Sequence, residues 1–262
     1  MSSFDFIVDN IRYSYSSLSS FENCKYGWKL TYIDVMPRVS NFFAEYGLLI
    51  HECNEKYFRG ELDSFELSSY YLNNYDKFVK SYPPEYPAGM AERYKTAGLE
   101  FYDNFSFNRY EYDIINVESK LDFELAPNII FTARPDLVLR SKETGKVALY
   151  DYKSSAPFRI DKYSGLEKTD TKKLEGYYKQ MFLYTYALRK VKDISLDEIT
   201  LWFTRPSRFV TIPWDEEKEK KAVDWALKII KRIKTTENFE YNNSNKYFCD
   251  NLCGVRDFCE YR

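Results

Sequence analysis

The spacing of apolar positions changes several times along the chain. Residues 14–34 open on a serine-rich cap and continue as a helix carrying Cys24 and Trp28. Residues 38–58 read as a second helix, with Phe42, Phe43, Leu48, Leu49 and Ile50 apolar and the chain's only histidine, His51, beside them. Residues 60–113 mix aromatic and charged side chains around Pro83-Pro84-Glu85-Tyr86-Pro87 and read as a helical insertion. The period then shortens. Residues 117–125 alternate apolar with polar, residues 129–139 are rich in strand formers, and residues 147–152 form a short apolar run after the turn Ser141-Lys142-Glu143-Thr144-Gly145-Lys146. Residues 171–192 return to helix, 199–204 and 209–212 read as strands, and 215–235 as a lysine-rich amphipathic helix. The order predicts a mixed α/β fold. No repeat or low-complexity linker divides it, so residues 1–262 are expected to form a single domain.

Composition narrows the class without choosing a function. Apolar residues make up 44% and charged residues 30%, as a globular chain with a real core requires. The aromatic share, 19%, is consistent with an A+T-rich coding sequence and is given no functional weight. The net charge of −2 neither supports nor excludes nucleic acid, because a binder needs only a local basic groove. The first residues lack the basic start and apolar run of a signal peptide, and no 18-residue apolar stretch follows. A cytoplasmic protein without membrane partners is the expectation. In a reducing compartment the five cysteines read as metal ligands or buried side chains rather than disulfides.

The candidate chemistry starts at Asp136, placed by this pattern in a strand directly after Pro135. Asp151-Tyr152-Lys153 follows fifteen residues later, at the end of the next strand. Asp151 and Lys153, two apart on a strand, share a face. Hydrolysis of a phosphodiester calls for a hard divalent cation held by carboxylates, which polarises the phosphoryl oxygen and acidifies a water. A neighbouring lysine stabilises the charge that develops on phosphate. Spacing alone favours an exposed edge pair, because an Asp followed two residues later by Lys is common. What separates the two is the apolar strand around the cluster, where unbound charge is costly.

Cys249, Cys253 and Cys259 lie within eleven residues near the end, and Cys24 lies near the start. Four thiolates can hold a 4Fe–4S cluster or a tetrahedral zinc, and spacing does not choose between them. Cys53, two residues from His51, reads as a buried hydrophobe.

Pro135-Asp136 followed by Asp151-Tyr152-Lys153 resembles the signature of the PD-(D/E)XK nuclease superfamily. Gln180-Met181-Phe182-Leu183-Tyr184, 27 residues after Lys153, resembles the helical motif of its RecB-like branch. Gly47-Leu48-Leu49-Ile50-His51, with Glu55 and Tyr57, resembles that branch's histidine motif. The resemblance spans about residues 14–262 outside the insertion. It implies a restriction-endonuclease-like core, a central mixed sheet flanked by helices. It implies His51, Asp136, Asp151 and the Tyr152 carbonyl as ligands of Mg²⁺ or Mn²⁺, and Lys153 as the catalytic lysine. Gln180 and Tyr184 would line the site. Taken by themselves, a lone histidine is usually structural, and Gln180 and Tyr184 fit a core-to-solvent helix edge.

Several nucleases of this branch, similar to AddB-type and CRISPR-associated adaptation exonucleases, carry one cysteine before the core and three after it. The resemblance implies that Cys24, Cys249, Cys253 and Cys259 hold a 4Fe–4S cluster, with zinc as the alternative, and that residues 237–262 close onto the first helix. The implied activity is a metal-dependent DNA exonuclease acting on single strands or duplex ends. It would serve recombination, repair, phage replication or CRISPR adaptation, with protein partners from those systems. No nucleotide-binding G-x-x-x-x-G-K-[ST] loop is present, so no helicase engine is expected within these residues. Lys172, Lys173 and Lys179 are candidates for DNA contact, although a solvated helix face accounts for them as well. The competing readings are a catalytically idle cluster-bearing scaffold and an endonuclease.

Overall fold

The computed structural model describes residues 5–261 other than 86, 156–157, 161–166 and 243. Tyr86 of the proline-rich break therefore lies outside the described residues. Helices α1 (Asp5–Asn10), α2 (Tyr15–Asn23), α3 (Lys25–Tyr32), α4 (Phe42–Phe58), α5 (Leu67–Phe78) and α6 (Met90–Asp103) precede strands β1 (Tyr112–Val117), β2 (Leu121–Ala126), β3 (Ile129–Ala133), β4 (Leu137–Ser141) and β5 (Val147–Lys153). The short strands β6 (Phe158–Ile160) and β7 (Glu167–Thr169) lead to α7 (Thr171–Lys192). Strands β8 (Glu198–Phe203) and β9 (Arg208–Pro213) and helices α8 (Glu216–Lys234) and α9 (Lys246–Asn251) complete the chain.

The main sheet runs β1-β4-β5-β8-β9. Its pairs are antiparallel except β5 with β8, which is parallel because α7 crosses between them. Side chains alternate between the faces of this sheet. Val138, Leu149, Ile199, Leu201 and Phe203 pack towards α7, α8 and α2, whereas Leu137, Leu139, Tyr152 and Trp202 pack towards α4, α5 and α6. The mixed α/β architecture, a sheet between two helical layers, is the one the pattern predicts.

Three continuous elements of the sequence reading are broken in the structure, each for a local reason. The helix over 14–34 stops at Cys24, which is extended at φ −156° and caps α3 through its sulfur, accepting the Gly27 N–H at 3.3 Å. The strand over 117–125 breaks at Glu118, whose φ of 49° is left-handed and turns the chain out of the sheet. The strand over 129–139 breaks at Arg134-Pro135-Asp136, since proline cannot donate to a ladder. Asp136 accordingly stands in the bend before β4 and not in a strand. The intervening β2–β3 hairpin forms its own two-stranded sheet. Residues 60–113 hold α5 and α6, but the last two, Tyr112 and Asp113, already belong to β1 and pair with β4.

Two helices that carry site residues are fixed firmly. In α4, Asn41 caps the first turn and Phe42, Tyr46, Leu49, Ile50, Cys53 and Tyr57 form the buried stripe. His51 is left at the border of that stripe. Between α7 and α8 the buried Glu219 accepts hydrogen bonds from Thr185 Oγ1 at 2.6 Å and Trp214 Nε1 at 3.0 Å and pairs with Arg189. Such a satisfied charge sets the register of one helix on the other.

Candidate active site

The site forms where the chain leaves the main sheet and where it returns. It leaves after Val117 at Glu118 and returns through Arg134, Pro135 and Asp136. These two segments are tied together. The Glu118 N–H donates to the Asp136 carbonyl at 2.8 Å, Arg134 Nε donates to the Glu118 carbonyl at 2.9 Å, and Asn116 Nδ2 donates to the Pro135 carbonyl at 3.2 Å. The β4–β5 register pairs Leu137 with Tyr150, which sets Asp136 beside Asp151. The Tyr152 N–H donates to Asp136 Oδ2 at 2.7 Å and fixes that carboxylate.

From the opposite layer, α4 delivers His51. Its Nδ1 lies 2.8 Å from Glu118 Oε1 and 3.8 Å from Asp136 Oδ2. Its ring meets the Tyr152 ring edge-on at 5.5 Å. Among the described residues, His51, Glu118 and Asp136 form the group whose donor atoms all lie within 4.8 Å of one another. Asp151 stands beside this group, held by Lys153 Nζ at 2.5 Å. Lys153 also donates to Gln180 Oε1 at 3.0 Å, and Gln180 Nε2 donates to the Tyr184 hydroxyl at 2.8 Å. A continuous polar chain thus runs from Asp151 through Lys153 and Gln180 to Tyr184, one turn along α7.

Three carboxylates are buried here: Glu118, Asp136 and Asp151. Burial, then the charges of Asp151 and Glu118, raise the Asp136 pKa to about 7, although His51 and Lys153 pull against the shift. Burial works against a charge on His51. Asp136 and the hydrogen bond and charge of Glu118 outweigh it and raise its pKa to about 9. Burial likewise opposes the Lys153 ammonium, but Asp151 and Asp136 hold its pKa above the usual lysine value. Both shifts favour proton binding, as expected where buried negative charge is under-compensated. Hard carboxylate oxygens with one imidazole at such spacing suit a divalent cation, which would take the place of those protons. The donor set therefore fits a metal of this kind.

Of the residues singled out in the sequence, His51 and Asp136 fall within the tight acidic group. Asp151, Lys153, Gln180 and Tyr184 form the adjoining chain. The Tyr152 side chain packs in the apolar layer of α4–α6, where its ring borders His51, while its N–H reaches Asp136. Glu118 was not among them. Its signal was an acidic residue at the point where an alternating run has to leave the sheet, and reading 117–125 as one strand hid it. Cys24 lies more than 200 residues before Cys249, Cys253 and Cys259, yet all four line one small cavity with Gly27, Phe248 and Val255. All four are free thiols, and Cys53 is fully buried.

Comparison with known proteins agrees with this geometry. The profile of the PD-(D/E)XK nuclease superfamily matches residues 12–260. No curated protein matches the chain. Among solved structures, a protein of Eubacterium rectale described as a candidate exonuclease is similar over 98% of this chain and 90% of its own, at 13% identity and a TM-score of 0.55. This likeness shows a shared fold. The structure of SSO0001 aligns over 96% of this chain and 87% of its own at 16% identity, with a TM-score of 0.38, too low to carry an argument. With nearly the whole length matched, the chain belongs to the PD-(D/E)XK nuclease superfamily.

Proposed function

We propose that this protein is a Mg²⁺- or Mn²⁺-dependent deoxyribonuclease of the RecB-like branch that degrades DNA from an end, with single strands as its preferred form. The observation that carries this reading is the buried group of His51, Glu118 and Asp136 joined to Asp151 and Lys153. In this reading His51, Asp136, Asp151 and the Tyr152 carbonyl hold the metal, and Glu118 is added to them. A divalent cation there supplies Lewis acidity to the phosphoryl oxygen and acidifies a water. Lys153 is the catalytic lysine. Its ammonium, kept charged by Asp151 and aimed by Gln180, stabilises the negative charge on the reacting phosphate. Tyr184 fixes the orientation of Gln180.

A groove of about 1010 Å³ beside Gln180 supports a single-stranded substrate. Lys172, Lys173 and Lys179 line it together with Tyr15, Tyr177, Trp225 and Phe248. Glu22, Asp170 and Glu175 line it too, so net charge does not select the ligand. Aromatic faces do, because bases stack on them whatever their sequence. Among the described residues no helix is long and apolar enough to cross a membrane. A cytoplasmic place in recombination, repair, phage replication or CRISPR adaptation, with partners from those systems, follows from the branch.

The four cysteines fit a 4Fe–4S cluster that closes residues 237–262 onto the first helices of a single domain, with 60–113 as its helical insertion. Among the described residues no three of these sulfurs lie within 4.8 Å of one another. Thiolates around one zinc would stand about 3.8 Å apart, from a Zn–S bond of about 2.3 Å. Zinc is the alternative occupant of these four thiols.

Three outcomes are expected. In Mn²⁺, wild type degrades end-labelled single-stranded DNA, and Asp151→Ala and Lys153→Ala each lose on the order of 10²–10³ in rate. Equal degradation by all three, or none by wild type across metals and ends, would overturn the nuclease reading.

The second outcome concerns pH. The raised pKa of Asp136 stabilises the metal-free fold at low pH, and that contribution is lost as pH rises through about 7. The raised pKa of His51 adds stability below its ordinary value of 6.5, lost as pH rises through about 9. Melting in EDTA should therefore drop between pH 6 and 9, and Mn²⁺ should reverse the drop. A Tm in EDTA that is flat or rises with pH contradicts the assignment.

Third, protein purified without oxygen should be brown, with broad iron–sulfur absorption. Colourless protein with stoichiometric zinc would exclude the cluster.

A further inference from the structure

Arg134 precedes Pro135-Asp136 and ties the two segments of the site together, but its charge has been given no role in the chemistry. Its side chain is 65% exposed, yet it is anchored. Nε donates to the Glu118 carbonyl at 2.9 Å and lies 3.6 Å from Glu118 Oε2. A guanidinium offers five N–H groups. Anchoring through Nε leaves the four on its terminal nitrogens, and these have no partner among the described residues. Pro135 disfavours a helical backbone at Arg134 and so helps fix where the side chain starts. The outcome is a planar, permanently charged fork at the rim of the acidic group, with its side chain largely open to solvent.

We propose that Arg134 binds substrate phosphate, its two terminal nitrogens taking the non-bridging oxygens of a backbone phosphate next to the one that reacts. This rests on the nuclease reading above. Three buried carboxylates repel an approaching polyanion, and a metal at their centre does not reach the flanking phosphates. A fixed guanidinium at the rim meets that need, and its fork matches phosphate in a way that a lysine does not. The bland alternative is a counter-ion for Glu118. Against it, the terminal nitrogens make no hydrogen bond to that carboxylate, whose nearest approach is Nε at 3.6 Å, longer than a hydrogen bond.

The test is steady-state cleavage of a labelled single-stranded oligonucleotide in Mn²⁺ by wild type, Arg134→Lys, Arg134→Gln and Arg134→Ala. Mn²⁺ affinity is measured separately by paramagnetic resonance. Glutamine retains an N–H for the Glu118 carbonyl and so guards against a variant that merely misfolds. Arg134→Gln and Arg134→Ala should raise KM about tenfold, the worth of a charged hydrogen bond, with kcat changed less and Mn²⁺ affinity within about twofold of wild type. The dependence of log KM on log salt should become shallower by about 0.7, one phosphate contact on a single strand. Arg134→Lys should restore the salt slope and part of KM. Wild-type KM and salt slope in the glutamine variant would overturn the proposal, as would a change confined to Mn²⁺ affinity. A wild type that cleaves no DNA would overturn the nuclease reading and this proposal together.

Discussion

The carboxylates of Glu118, Asp136 and Asp151, buried together at the end of a β-sheet, are the constraint to which the rest of the site answers. Buried charge of one sign is tolerated only when it is paired or hydrogen-bonded. Each neighbour fits that need. Lys153 is held against Asp151, His51 against Glu118, and the Tyr152 N–H against Asp136. Burial and the carboxylates' mutual repulsion push the Asp136 pKa up, and the same carboxylates push up that of His51. Such an arrangement is poorly suited to stability alone and well suited to releasing protons for a divalent cation.

Topology explains how carboxylates far apart in sequence meet. The β2–β3 hairpin is an excursion from the main sheet, and both of its junctions carry acidic residues. Glu118 is held in a left-handed conformation, which costs a residue with a side chain about 1 kcal/mol or more. Its N–H to the Asp136 carbonyl and the Arg134 bond to its own carbonyl over-determine that conformation. Strain, a buried carboxylate and an exposed arginine coincide at one crossing of the chain. The β5–α7–β8 crossover brings Gln180 to Lys153 from the other side, and the Glu219 hub keeps α7 in place.

Much of this was legible in the sequence because it is local. The period-two run of β5 puts Asp151 and Lys153 on one face, and the helical spacing of Gln180 and Tyr184 makes them neighbours. The breaks were harder to read. Apolar residues continue across Glu118 and across Arg134-Pro135-Asp136, so alternation alone joins strands that belong to different sheets. Proline was the warning at the second break, whereas nothing local marks a left-handed glutamate at the first. Cys24 ending one helix and capping the next is also invisible to periodicity, as is the cavity it shares with residues more than 200 positions away. Long-range partners decide these points.

Glu118 is the residue that most separates the structural account from the sequence signature alone. Anomalous diffraction from crystals soaked in Mn²⁺ tests it most directly. The account places the manganese peak within bonding distance of His51, Glu118 and Asp136. A peak that leaves Glu118 unbound, or no peak in this group at saturating Mn²⁺, would contradict it.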